Sequence, residues 1–182
     1  SNVQPWQVYV ISGKTQRRIS EVCVGLYLDG NEGQAEYSYY PIHWREPYLA
    51  RRRATGFGLY GLLGIDKTDT QAVQKYRVTN YQFFGAPIGL FFTIDRDMEL
   101  DGWLDYGMFL QSLMLCARQH GLETCPQAAF CPYHEPIMRI LGAPTQQMLV
   151  CGMSMGYPLE DALINTYRTD RLDARNFSRF LD

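Results

Sequence analysis

"PIGLFFTIDRDMELDGWLDYGMFLQSLMLCARQH", residues Pro87 to His120, decides what the rest of the chain must be built around. Its first part, Pro87 to Asp95, is a nearly continuous apolar run rich in Ile and Phe, the pattern of a central strand covered on both faces. Its second part, Asp101 to His120, is the clearest helix in the chain. Trp103, Leu104, Met108, Phe109, Leu110, Leu113, Met114 and Leu115 make it apolar on nearly every side, so it is expected to be buried on all sides.

Weaker patterns surround this pair. Trp6 to Ser12 alternates as a strand does and closes at Ser12-Gly13, and Thr15 to Tyr27 places Ile19, Val22, Cys23 and Leu26 on one helical face. Asp29 to Tyr48 has no period. It holds Gly30, Gly33, Pro41, Pro47 and an aromatic group, Tyr37, Tyr39, Tyr40, Trp44 and Tyr48, which predicts a long loop. Helices follow over Ala50 to Leu63, after Arg51-Arg52-Arg53, and over Thr70 to Tyr81, with Asp66 or Thr68 as its cap. A short helix near Pro132 to Leu141 ends at Gly142, and Gln147 to Pro158 is a strand. The tail from Leu159 to Asp182 is polar, with Leu172, Phe177, Phe180 and Leu181 as isolated anchors. Single strands scattered among helices predict one α+β domain, residues 1–182, with helices packed on a sheet.

The totals narrow the partners. Seventeen basic and nineteen acidic residues leave a net charge of −2, which recommends neither nucleic acid nor an anionic membrane. No apolar run reaches the length of a membrane span, and the start of the chain lacks the regions of a signal peptide, so a cytoplasmic location is expected. Five cysteines, an odd number in a chain of 182 residues, favour reduced thiols.

Several motifs invite chemistry and do not sustain it. "GFGLYG" at Gly56, Gly58 and Gly61 matches the dinucleotide fingerprint in letters only: Arg51-Arg52-Arg53 precede it where a strand is needed, and no acid stands about 20 residues on. Close packing at small residues is the better reading. Cys125, Cys131 and His134 lack a CxxC pair and a fourth ligand, so no metal is expected, and nothing local marks an activated thiolate. His43, His120 and His134 read as a loop residue, a helix-end residue and a surface residue of a short helix.

One constellation remains. Asn2 and Gln4 present amides just before the rigid Pro5-Trp6; "CPQAAF", Cys125 to Phe130, offers backbone N–H groups beside small side chains; Arg168 and Arg171 in "NTYRTDR" make a fork for phosphate. Amides for a polar ring edge, small-residue backbone for a ring face and arginine for a phosphate suit a mononucleotide with a planar head, FMN.

At these residues the sequence resembles the FMN-dependent nitroreductase family. "SNVQPWQVYV", "FFGAPIGLFF", "GLETCPQAAF", "MLVCGMSMGYP" and "NTYRTDR" occur in the family's order, and "LGID" followed by Asp69 resembles its usual linker. The resemblance spans essentially the whole chain. It implies a nitroreductase-like sandwich, a central mainly antiparallel sheet flanked by helices, forming an intertwined homodimer with FMN across the interface. The Asp101–His120 helix would be the central dimer helix, and the tail 159–182 would wrap the partner subunit. Carried over by motif, Ser1, Asn2 and Gln4 meet the flavin ring region, and the backbone at Pro126, Gln127, Ala128 and Ala129 lies along the ring with Ala128 N–H at N5. Arg171, then Arg168, binds the phosphate.

Family members usually begin with a helix carrying Arg, Ser and Arg that grips the phosphate, and no segment here matches it. The activity implied is reduction of a nitroaromatic, quinone or similar planar acceptor by NADPH or NADH in a ping-pong cycle in which the flavin performs the chemistry. The loop aromatics Tyr39, Tyr40 and Trp44, with Trp103 and Tyr106, are expected to shape the acceptor pocket. The alternative is a non-catalytic module that keeps the fold while binding a flavin or a protein partner.

Overall fold

The computed structural model describes residues 2–181. Four antiparallel strands, β1 (Gln7–Ser12), β2 (Ile88–Asp95), β3 (Glu123–Gln127) and β4 (Gln147–Gly156), form one sheet in the order β1-β2-β4-β3. The helices are α1 (Gly13–Leu28), α2 (Tyr48–Leu62), α3 (Thr70–Tyr81), α4 (Leu100–Gln119) and α5 (His134–Leu141). The "PIGLFFTID" run is a central strand: Gly89 to Ile94 are all buried. Its pleat divides the core. Phe91 joins Ile19, Cys23, Tyr81, Phe83, Phe130 and Ile137 under α1, α3 and α5, whereas Leu90, Phe92 and Ile94 join Tyr106, Val150 and Met153 under α4.

Local chemistry explains most boundaries. Helix α3 is capped by Asp69, whose carboxylate accepts the Ala72 N–H at 3.0 Å. The expected caps lie outside the helix, where Asp66 closes its own turn onto Thr68. Helix α4 carries Asp101 in its first turn and Arg118 in its last, both favourable to the helix dipole. Helix α5 stops at Gly142, which adopts φ +65° so that Ala143 N–H reaches the Met138 carbonyl. "ETCPQ" forms β3, a strand missed in the sequence because its only apolar signal is broken by Pro126. The proline is tolerated because β3 is an edge strand.

Helix α4 is covered on one face only: Leu100, Leu104, Met108 and Leu115 form a stripe at helical spacing and are 84%, 69%, 56% and 61% exposed in the single chain. One sheet has only one face to offer it. Helix α2, which buries no residue, holds the three glycines of "GFGLYG", and a Cβ on Gly58 would meet the Tyr167 hydroxyl at 2.4 Å. That close packing excludes the dinucleotide reading. It also seats Tyr167 of the tail on this chain's own α2, with the hydroxyl donating to the Thr55 carbonyl at 3.0 Å. Among the described residues no helix is long and apolar enough to cross a membrane.

Burial pushes the thiols of Cys23 and Cys151 up to about 12. The folded thiols therefore keep their protons after unfolded ones, near 9, have lost theirs. Their contribution to stability is complete below about pH 9 and is lost as pH rises towards 12. Urea midpoints should fall between about pH 9 and pH 10.5, and the fall should be shallower in a Cys23→Ala/Cys151→Ala variant; equal slopes in the two proteins would contradict this account.

Candidate functional site

The sheet register brings the separated motifs to one end of the molecule. Gln7 faces Thr93, Asp95 faces Gln147, and Gln127 faces Gly152. The segment before β1, the end of β2, the start of β4 and the turn after β3 therefore share a sheet end. Asn2 and Gln4 precede β1 at one edge of the sheet, and Ala128 and Ala129 follow β3 at the other.

Tyr106 is the fastener beneath this end. It is 1% exposed, and its hydroxyl faces the Gln7 carbonyl at 3.1 Å and the Thr93 carbonyl at 2.9 Å, tying β1 and β2 to α4. Burial pushes its hydroxyl well above the usual tyrosine range. Tyr106 is thus a core residue with no surface to offer an acceptor, contrary to the sequence expectation. Trp6 stacks on Phe109 of α4, with ring centres 4.6 Å apart and planes within 4°. This fixes the segment before it. The amide of Gln4 donates to that of Asn2 at 2.9 Å, and Gln4 holds φ +55°, a conformation that non-glycine residues adopt at a cost. Both amides line an open groove of about 310 Å³ with Asp105, Met108 and Ser112 of α4.

At the other edge, Pro126 is exposed and Ala128 and Ala129 are half-buried. Ala128 opens a 3₁₀ segment, Ala128 to Tyr133, whose first N–H groups have no partner within the helix. Gln127 differs. Its buried side chain donates to the Asn80 carbonyl at 2.6 Å and accepts from the Ser154 hydroxyl, so the side chain is committed within the protein. Ser1 lies outside the described residues. Arg168 and Arg171 are exposed in the tail and bond to their own neighbours, Asn165 and Tyr167 for the first and Thr169 and Asp170 for the second. Among the described residues no bond ties either to the sheet end.

The long loop reaches this end through a defect in β4. Between Phe92 and Thr93 the β2–β4 register slips: Phe92 faces Cys151 and Thr93 faces Leu149, leaving Val150 as a bulge. The Val150 carbonyl accepts the Tyr37 hydroxyl and the Cys131 thiol. One residue earlier, Glu36 pairs with Arg96 and with His134 Nδ1 at 3.2 Å, and its carboxylate accepts Leu149 N–H at 3.4 Å. His134, expected at the surface, is held in this half-buried network. Gly33 completes the dock at φ +64°, where a Cβ would strike the Pro132 carbonyl at 2.4 Å. Residues 31–37 are thus fixed on the sheet end while the aromatic tip beyond them stands in solvent.

That tip is organised. Tyr37 packs on Trp103 of α4 with ring centres 4.9 Å apart, and contacts continue from Tyr37 to Tyr39, Tyr40 and Trp44 at 6.3, 4.8 and 5.7 Å. Sequence reasoning assigned Tyr39, Tyr40, Trp44 and Trp103 to an acceptor pocket but gave no role to Glu36, Arg96 or Tyr37, whose bonding partners lie 49 or more residues away. Burial raises the titration of the Cys125 and Cys131 thiols too, so a thiolate nucleophile at either has no support.

The model of the nitroreductase family matches residues 1–157. The chain belongs to the nitroreductase family. It is 40% identical over 182 residues to a 4-nitrobenzoate reductase of Pseudomonas putida, covering 100% of this chain and 79% of that protein. It is 35% identical to a nitrobenzene nitroreductase of Ectopseudomonas oleovorans, covering 100% and 80%. The FMN- and NADPH-dependent nitroreductase NfnB from Sphigopyxis sp. strain HMH superposes with a TM-score of 0.95 at 33% identity, over 100% of this chain and 82% of that one. NfnB of Mycobacterium smegmatis, an FMN-dependent nitroreductase solved with NADPH, gives 0.94 at 30% identity over 100% and 81%.

The dock of the loop is testable by itself. Glu36→Gln removes the charge that holds Arg96 and His134, and should open residues 38–47 so that trypsin cuts first after Arg45, several-fold faster than in the parent, at unchanged far-UV circular dichroism. Equal cleavage rates would show that Tyr37 and Gly33 suffice.

Proposed function

We propose that this chain is an NAD(P)H-dependent FMN oxidoreductase that reduces the nitro group of planar aromatic acceptors and works as a homodimer. The observation that carries this reading is the shared sheet end. It collects exposed amides, a small-residue backbone turn and an aromatic wall, in a chain whose relatives of 35–40% identity are named nitroarene reductases.

The residues fit the flavin group by chemistry. Asn2 and Gln4 offer donors and acceptors to a ring edge that carries both. Pro126, Ala128 and Ala129, with no bulky side chain among them, leave room for a flat ring against the backbone, and Ala128 N–H is available to a ring nitrogen. Gln127 contributes backbone only. Arg171, with Arg168 second, holds the phosphate once its local bonds are exchanged for it. When bound, FMN supplies hydride transfer between the reductant and the acceptor. The protein's part is to orient both on one face in turn, to stabilise added negative charge through N–H donors and to keep water from the reacting edge. Tyr39, Tyr40, Trp44 and Trp103 provide the wall on which a planar acceptor stacks. The apolar stripe of α4 is covered by the same stripe of a second copy, which brings the groove beside Asn2 and Gln4 under the partner's cover.

The test is spectroscopic. Purified protein loaded with FMN should show a protein-bound flavin spectrum that bleaches with NADPH without oxygen and returns on adding 4-nitrobenzoate or nitrobenzene. Protein that retains no FMN, or a reduced spectrum unmoved by any nitroarene, would refute the assignment. Tyr40→Ala and Trp44→Ala should alter KM across a panel of acceptors by about threefold to tenfold at unchanged FMN content, and an unaltered ranking would remove these residues from the pocket.

A further inference from the structure

The aromatic wall carries one charged group that its stacking role does not require. The guanidinium of Arg52, on the first turns of α2, lies over two rings of the loop tip, 4.9 Å from the centre of Tyr40 and 4.7 Å from that of Trp44. Stacking engages the flat faces of a guanidinium and leaves its N–H edge free, the geometry suited to a carboxylate's two oxygens. Among the described residues the carboxylate ion pairs are made by Arg96, Arg118, Arg175 and His134, and none involves Arg52. Glu46, the nearest acid in sequence six residues before it, accepts the Ala50 N–H at 3.1 Å instead. Arg45 and Arg51 stack on Tyr48 and add positive potential without closing the edge.

We infer that Arg52, lying over both Tyr40 and Trp44, is a specificity residue that selects planar aromatic acceptors bearing a carboxylate. The inference rests on the placement of the acceptor wall proposed above and deepens it by naming the substrate class. The ring stacks on the wall that runs from Trp103 through Tyr37 to Tyr40, and the carboxylate meets the Arg52 edge. Tyr37, bound to the Val150 bulge, fixes the distance between that edge and the sheet end. A neutral acceptor of the same shape uses the wall and gains nothing from the arginine.

The experiment compares 4-nitrobenzoate with 4-nitrobenzamide, equal in shape and different in charge, using FMN-loaded parent protein, Arg52→Met and Arg52→Lys. Arg52→Met keeps a side chain to lie on the rings and should raise KM for the acid about tenfold or more, with the amide and kcat little changed. Arg52→Lys should recover part of the loss. Raising salt should weaken the acid's kcat/KM in the parent and spare the amide's. Equal losses on acid and amide would overturn the inference, as would no loss on either. So would an effect confined to the KM of NADPH relative to NADH, because the arginine would then serve the reductant's phosphate. If the parent turns over neither compound, the proposed activity fails separately. Quenching of tryptophan fluorescence by benzoate against benzamide then reads the same preference at equilibrium: a preference for benzoate that Arg52→Met abolishes supports the inference, and its absence overturns it.

Discussion

Helix α4 has more apolar surface than one sheet can cover. Its inner face supplies Tyr106, Phe109, Leu110 and Leu113 to the core under β2 and β4, while Leu100, Leu104, Met108 and Leu115 remain outside. Large exposed apolar stripes on a folded chain mark association surfaces. The same helix fastens the functional end of the sheet through the Tyr106 hydroxyl and lines the groove beside Asn2 and Gln4. On the proposed reading, association and ligand binding draw on this one element, and a change to its outer face is expected to reach the site.

A second constraint acts between the two central strands, β2 and β4. The Val150 bulge frees a carbonyl from the sheet ladder, and Tyr37 and Cys131 satisfy it. Through that bond and the Glu36 charge cluster, a loop with no regular structure acquires a rigid base and a solvent-facing aromatic tip. Rigid bases with variable tips allow a scaffold to keep its chemistry while changing its acceptors. Arg52, reaching the tip from α2, places a charge where such variation acts.

The central strand and the apolar helix were legible because each has its own hydrophobic period, and the loop because it has none. Gly142 as a helix end and the glycines of α2 as packing sites were legible for the same local reasons. Strand β3 was hidden by Pro126, which local propensity counts against a strand and an edge position forgives. The outer face of α4 is bare in the single chain: periodicity reports what must be covered and not by which chain. Tyr106 looked like a pocket aromatic because nothing local distinguishes a hydroxyl that faces two backbone carbonyls from one that faces a ligand. Glu36, Arg96 and His134 meet only through the fold, so no spacing rule could have joined them. Asn2, Gln4 and the Ala128-Ala129 turn were joined through ordered family motifs, and the register then set them at one sheet end.

The account is tested most directly by sedimentation of FMN-loaded protein, comparing the parent with a variant carrying Leu104→Glu and Leu115→Glu on the outer face of α4. The account predicts a parent dimer that carries its flavin in the boundary, and a variant that sediments as a folded monomer with the flavin left behind. A parent that retains flavin as a monomer, or a monomeric variant that still carries it, would contradict the claim that α4 builds the interface and the site together.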